Sequence, residues 1–89
     1  MIRREVKLSN RLGLHARAAS KLVQSASQFD AQVWLERDSR RINAKSIMGV
    51  LMLAAPCGAE LVLEVEGPDE DEATKALTGL IESRFGEDE

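Results

Sequence analysis

The sequence predicts an α+β domain of two layers, with helices covering one face of a β-sheet. The hydrophobic period switches between two residues and three-to-four residues, giving the order strand, helix, strand, strand, helix, strand, helix. Each switch falls at polar or turn-forming residues: Ser9-Asn10-Arg11, Asp38-Ser39 and Gly67-Pro68-Asp69. With 89 residues the chain has room for one core, so residues 1–89 read as a single domain.

Ile2, Val6 and Leu8 alternate with Arg3, Glu5 and Lys7 as a first strand. From about Ala16 to Gln28, Ala18, Ala19, Leu22, Val23 and Ala26 recur at helical spacing, while Arg17, Lys21, Gln24 and Gln28 face elsewhere. Gln32–Arg37 reads as a second strand, and Arg40–Ala44 pairs with it as a hairpin across Asp38-Ser39. Ser46 is placed as the N-cap of a short helix, Ile47–Ala55, closed by Pro56 and Gly58. Glu60–Glu66 alternates as a half-buried strand, with Leu61, Leu63 and Val65 on one face and Val62 and Glu64 on the other. After Gly67-Pro68, the acidic turn Asp69–Glu72 suits a helix N-terminus, and Ala73, Ala76, Leu77, Leu80, Ile81 and Phe85 continue at helical spacing.

Composition narrows the function. Hydrophobic residues make up 44% of the chain but aromatics only 3%, so the core is aliphatic. A net charge of -3 gives no general attraction to nucleic acid, and the acidic residues gather at Asp69–Glu72 and Glu87–Glu89, leaving room for a local basic patch elsewhere. A single cysteine, Cys57, forms no internal disulfide and builds no structural zinc site. The start MIRREVKLSN lacks an apolar run of signal-peptide length, and no segment approaches the ~20 apolar residues that span a bilayer. A cytoplasmic protein without membrane insertion is expected.

The only histidine, His15, lies in Gly13-Leu14-His15-Ala16-Arg17-Ala18-Ala19, where the first helix begins. It has no second histidine for a metal site and no neighbouring serine or cysteine arrangement for hydrolysis, so no metal or cofactor is expected. An N-capping or surface histidine is the plainer reading of the residue alone. The neighbours add to it: a neutral imidazole accepts a group covalently, the helix N-terminus favours an anion, and Arg17 offers a fork of donors. Gly13 lets the chain turn sharply before the helix and present His15 at its mouth.

GLHARAA resembles the active-site motif of the histidine-containing phosphocarrier (HPr) family of the bacterial phosphoenolpyruvate-dependent phosphotransferase system, which includes a nitrogen-branch relative. Asn43-Ala44-Lys45-Ser46-Ile47-Met48-Gly49-Val50 and Gly67-Pro68-Asp69-Glu70 extend the resemblance over nearly the whole chain. It implies an open-faced β-sandwich, a four-stranded antiparallel sheet covered on one face by three helices. It also implies a carrier, not a self-sufficient enzyme: His15 would take a phosphoryl group at Nδ1 from phosphorylated enzyme I, Arg17 would pair with it, and a histidine of an enzyme IIA protein would receive it. Many members have proline where Ala18 stands, so altered tuning of the helix start is expected there.

The resemblance also makes Ser46 a candidate regulatory site for HPr kinase/phosphorylase, although N-capping alone explains a serine there. On a helical wheel Val50, Leu53 and Ala54 fall together and Ile47, Met48 and Leu51 fall elsewhere, so either the whole helix is buried or the second set forms an exposed docking patch. Met48 and Met52 would help such a patch adapt to several partners. Ala16, Ser20, Lys21 and Lys45 would complete the partner-facing surface of a monomer. A regulatory module of the same fold that carries no phosphate is the competing function, and the sequence fits either the sugar-uptake or the nitrogen-related branch.

Overall fold

A computed structural model describes residues 1–87; Asp88 and Glu89, part of the acidic tail read above, lie outside the described residues. The elements follow the expected order: β1 (Ile2–Lys7), α1 (Ala16–Ala26), β2 (Gln32–Arg37), β3 (Arg40–Asn43), α2 (Ile47–Met52), β4 (Glu60–Glu66) and α3 (Glu70–Glu82), then a 3-10 turn at Arg84–Gly86. All strand pairs are antiparallel, in the order β1-β4-β2-β3. The expected α+β open-faced sandwich, four strands with three helices, is the fold found.

Register explains which side of the sheet carries the helices. Ile2 and Val33 flank Val65, and Leu35 flanks Leu63, so apolar rows run across one face and only Arg4, at the edge strand beside Leu63, breaks them. Leu61, Leu63, Val65, Val33 and Leu35 are buried there with Ala18, Ala19 and Leu22 of α1, Val50 of α2, and Ala73, Leu77 and Ile81 of α3. Phe85 is the largest side chain in this otherwise aliphatic core. The opposite face holds Arg41 over the Trp34 ring at 4.2 Å, with its Nε donating to Glu64 at 3.0 Å. Glu64, on the open side of this half-buried strand, is only 8% exposed: Arg3 and Arg41 pair with it, and Trp34, which carries Arg41 over its ring, is its register partner on β2.

The helices end earlier than their hydrophobic periodicity suggests. The tail of α1 tightens after Ala26 into three-residue turns, Gln28 N–H to Ser25 at 3.2 Å and Phe29 N–H to Ala26 at 3.3 Å. α2 stops at Met52 and not Ala55, because Ala54 takes a left-handed φ of 49°. Leu53 is buried as expected, whereas Ala54 turns out to solvent. The freed carbonyls are met by the hairpin: Arg37 donates to Leu53 at 3.0 Å and Arg40 to Met52 at 2.9 Å, placing cations at a helix C-terminus where the dipole favours them. α3 ends at Glu82, so Phe85 reaches the core through a left-handed turn and not on the helical face, while Ala76, read as part of that face, is exposed.

Two loops fix the ends of the layers. Asp38 and Ser39 both have positive φ, 51° and 69°, the twist that a tight hairpin needs. Asp69 does more than complement a dipole: its carboxylate accepts from the Asp30 N–H at 2.9 Å and the Ala31 N–H at 2.8 Å, tying the start of α3 to the entrance of β2. Those backbone donors, Asp30 first, hold its carboxyl below the usual range against the opposing effect of burial, with Lys45 adding to the lowering.

Candidate functional site

The site forms where the β1–α1 loop meets the end of α2. Gly13 has φ +64° and lies so close to Ala55 and Pro56 that a Cβ would sit 2.3 Å from the Ala55 carbonyl oxygen. The next residue locks the approach: the Leu14 N–H donates to that same carbonyl at 2.9 Å, and its side chain is buried. His15 is then extended, φ -72° and ψ 176°, and its carbonyl takes the Ala19 N–H at 2.8 Å to begin α1. It is the N-cap by backbone position only, since no side chain caps the helix. The first N–H groups of α1 consequently remain directed at the mouth, where an anion is favoured.

The His15 ring is half-buried, and its Nε2 meets Oε2 of Glu87. Glu87 is itself held: its Oε1 accepts from Asn10 Nδ2 at 2.8 Å. Asn10 is fully buried and donates from the same nitrogen to the Gly13 carbonyl at 2.7 Å. The Asn10 bond is the first cause lowering the Glu87 carboxyl, with the His15 contact and Lys21 acting the same way and burial opposing them. An ionised carboxylate only accepts hydrogen bonds, so the facing ring nitrogen carries hydrogen, and in the neutral ring the lone pair then falls on Nδ1. Nδ1 has no hydrogen-bond partner among the described residues.

Arg17, two positions along α1, is exposed and makes no ion pair or hydrogen bond among the described residues. Its guanidinium is thus available to an incoming anion. Ala18 packs its side chain fully into the core, and Ala16 is exposed beside the histidine. Ser20 is half-buried and accepts from Gln24 at 3.4 Å.

Ser46 occupies the expected cap, its Oγ accepting from the Gly49 N–H at 3.2 Å, while the residue itself stays exposed. Ser46→Ala is expected to lower stability by about 1 kcal/mol, read from the urea midpoint, because that N–H loses its acceptor. Beyond it Ile47 is 38% exposed, Met48 66%, Leu51 37% and Met52 61%, while Val50 is buried. The exposed-patch alternative for α2 is the one found. Leu12, at 64%, is a further exposed apolar residue, in the loop leading to His15, and no periodicity marked it.

The two lysines are less free than a rim role suggests. Lys21 donates to the Phe85 carbonyl at 2.6 Å and Lys45 to the Phe29 carbonyl at 2.8 Å, both half-buried. Sequence reasoning missed Asn10 and Glu87, which lie 77 residues apart and meet only through the fold. Cys57 is an exposed loop residue. No helix among the described residues is long and apolar enough to cross a membrane.

Fold and site together define a small α+β domain with one helix-mouth histidine, an exposed arginine in the same helix turn that has no partner among the described residues, and an exposed apolar surface on α2. A family model for the PTS HPr component phosphorylation site matches residues 2–83. The chain is 54% identical to the phosphocarrier protein HPr of Cupriavidus necator over 89 residues, covering the whole of both. An HPr structure from Thermoanaerobacter tengcongensis matches with a TM-score of 0.97 at 48% identity, again over the whole of both chains. A dimeric HPr from the same organism matches with a TM-score of 0.79 at 51% identity, over 92% of this chain and 94% of that one. The chain belongs to the HPr family of phosphocarrier proteins of the phosphotransferase system.

Proposed function

We propose that residues 1–89 form a single phosphocarrier domain that accepts a phosphoryl group on His15 from phosphorylated enzyme I and delivers it to a histidine of an enzyme IIA protein. The observation that carries this reading is the pairing of an Nδ1 that has no partner among the described residues with an engaged Nε2 at the mouth of α1. The Nδ1 lone pair attacks phosphorus as the bond from phosphorus to the donor breaks, and that bond's electron pair stays with the donor. Onward transfer repeats the exchange: the acceptor's lone pair bonds to phosphorus, the N–P bond breaks and His15 recovers its neutral ring. No net reaction occurs unless both partners are present, which is how a carrier differs from an enzyme.

Arg17 and the first-turn N–H groups of α1 would hold the phosphoryl oxygens in transit. Ile47, Met48 and Leu51, with Met52, offer an apolar surface for docking, flanked by Ala16, Ser20, Lys21 and Lys45. The two methionines suit a surface that serves donor and acceptor in turn. Ser46 stands exposed next to this surface, so a phosphate placed there by HPr kinase/phosphorylase would oppose the acidic face that the family's enzyme I presents. The proposed setting is cytoplasmic and the working unit a monomer, distinct from the dimeric relative.

Incubation with enzyme I, Mg²⁺ and labelled phosphoenolpyruvate tests the reading. Wild type should gain acid-labile, alkali-stable label and pass it on to an added IIA protein, while His15→Ala gains none. Label retained by His15→Ala would refute the assignment.

A further inference from the structure

We propose that Asn10, Glu87 and His15 form a positioning relay that fixes hydrogen on Nε2 and turns the Nδ1 lone pair outward; the kinetic part of this inference rests on the carrier reading above. The end of the chain is shaped to reach the site. After α3 the backbone takes successive positive φ values at Arg84 (60°), Phe85 (57°) and Gly86 (77°), a conformation that costs free energy at the first two. Burial of Phe85 and the Lys21 bond to its carbonyl at 2.6 Å hold that turn in place. The Glu87 N–H then donates to Arg84 at 3.0 Å, and the side chain arrives at His15 from a residue 72 positions away.

Asn10 makes the arrangement more than a surface ion pair. Both its hydrogen bonds leave from Nδ2, one to the carboxylate and one to the loop carbonyl of Gly13, while its buried Oδ1 has no partner among the described residues. Two acceptors therefore dictate which way the amide points, and the same amide links the carboxylate to the loop that presents His15. Lys21 adds positive charge on the α1 side of Glu87. An acceptor-only group held in this way favours the Nε2–H tautomer. As Nδ1 bonds to phosphorus the ring gains positive charge, and the carboxylate opposite stabilises it without taking the proton, as an aspartate does behind a catalytic histidine.

Glu87→Gln and Glu87→Ala test the relay, because Glu87 lies beyond the last element and neither change removes core volume. Two readouts are needed: the His15 tautomer from ring ¹⁵N shifts in the neutral, unphosphorylated protein, and single-turnover transfer from phosphorylated enzyme I. Wild type should be almost wholly Nε2–H. Both variants should show a mixture of tautomers and transfer roughly ten- to a hundredfold more slowly, with an unchanged KM for the carrier. Unchanged tautomers in both variants would overturn the relay, and so would altered tautomers with an unchanged transfer rate. A tautomer shift in a protein whose wild type accepts no phosphate would support the relay and overturn the carrier reading instead.

Discussion

Gly13→Val lowers the melting temperature by roughly 12–24 °C, on an expected destabilisation of at least about 3 kcal/mol. Two costs combine. A β-branched residue in the left-handed region at φ +64° costs about 1–2 kcal/mol. Its Cβ would also stand 2.3 Å from the Ala55 carbonyl oxygen and 2.8 Å from Pro56 Cα, atoms of the main chain that cannot swing aside. Relief requires the β1–α1 loop to lift from the end of α2, which breaks the Leu14 N–H bond to Ala55 and exposes the buried Leu14 side chain. His15 sits next on that loop, so the variant also loses transfer in the fraction that stays folded. Gly79→Ala is the control: nothing lies within 4 Å of the new Cβ at the start of the last turn of α3, so it should gain up to about 1 kcal/mol. Thermal melts followed by far-UV circular dichroism distinguish these outcomes.

On the proposed function, Arg17→Ala is expected to slow phosphoryl acceptance from enzyme I by about ten- to a hundredfold, the worth of one charge-assisted hydrogen bond of about 1.5–3 kcal/mol. The stability of this variant should match wild type, because Arg17 is exposed and holds no partner among the described residues to leave behind. Arg17→Lys should recover only part of the rate, since a point charge replaces a planar fork of donors. The measurement is kcat/KM for transfer from phosphorylated enzyme I. Equal rates for wild type and Arg17→Ala would remove the guanidinium from the account and leave the first turn of α1 as the only anion-binding group.

The strands were legible because their alternation is a strict local rule: β2 and β4 have the limits read from the sequence, Gln32–Arg37 and Glu60–Glu66. The helix ends were not, because apolar spacing carries on through Ala54 and Phe85 while the backbone turns left-handed at Ala54 with no glycine and at Arg84 two residues before Gly86. Glu64 lies on the face read for it, but its burial there was not legible, for a related reason. Its burial depends on Arg3 of β1 and Arg41 of β3 reaching it across the sheet, which alternation within β4 does not encode.

At the site, the sequence marked what lies within seven consecutive residues: the turn at Gly13, the histidine at a helix start and the adjacent arginine. Asn10 read only as the polar end of a strand and Glu87 only as part of an acidic tail. Their roles arise from the left-handed turn after α3, and nothing in either local stretch signals that the two side chains meet.

His15 is proposed to carry the phosphoryl group on Nδ1 while Nε2 keeps its hydrogen. The most direct measurement is a ³¹P and ¹⁵N spectrum of the ring-¹⁵N-labelled protein after phosphorylation by enzyme I and phosphoenolpyruvate. Phosphorus coupled to Nδ1, with Nε2 still protonated, is the result this structure leads to. Phosphorus coupled to Nε2, or found only on another residue such as Ser46, would contradict it.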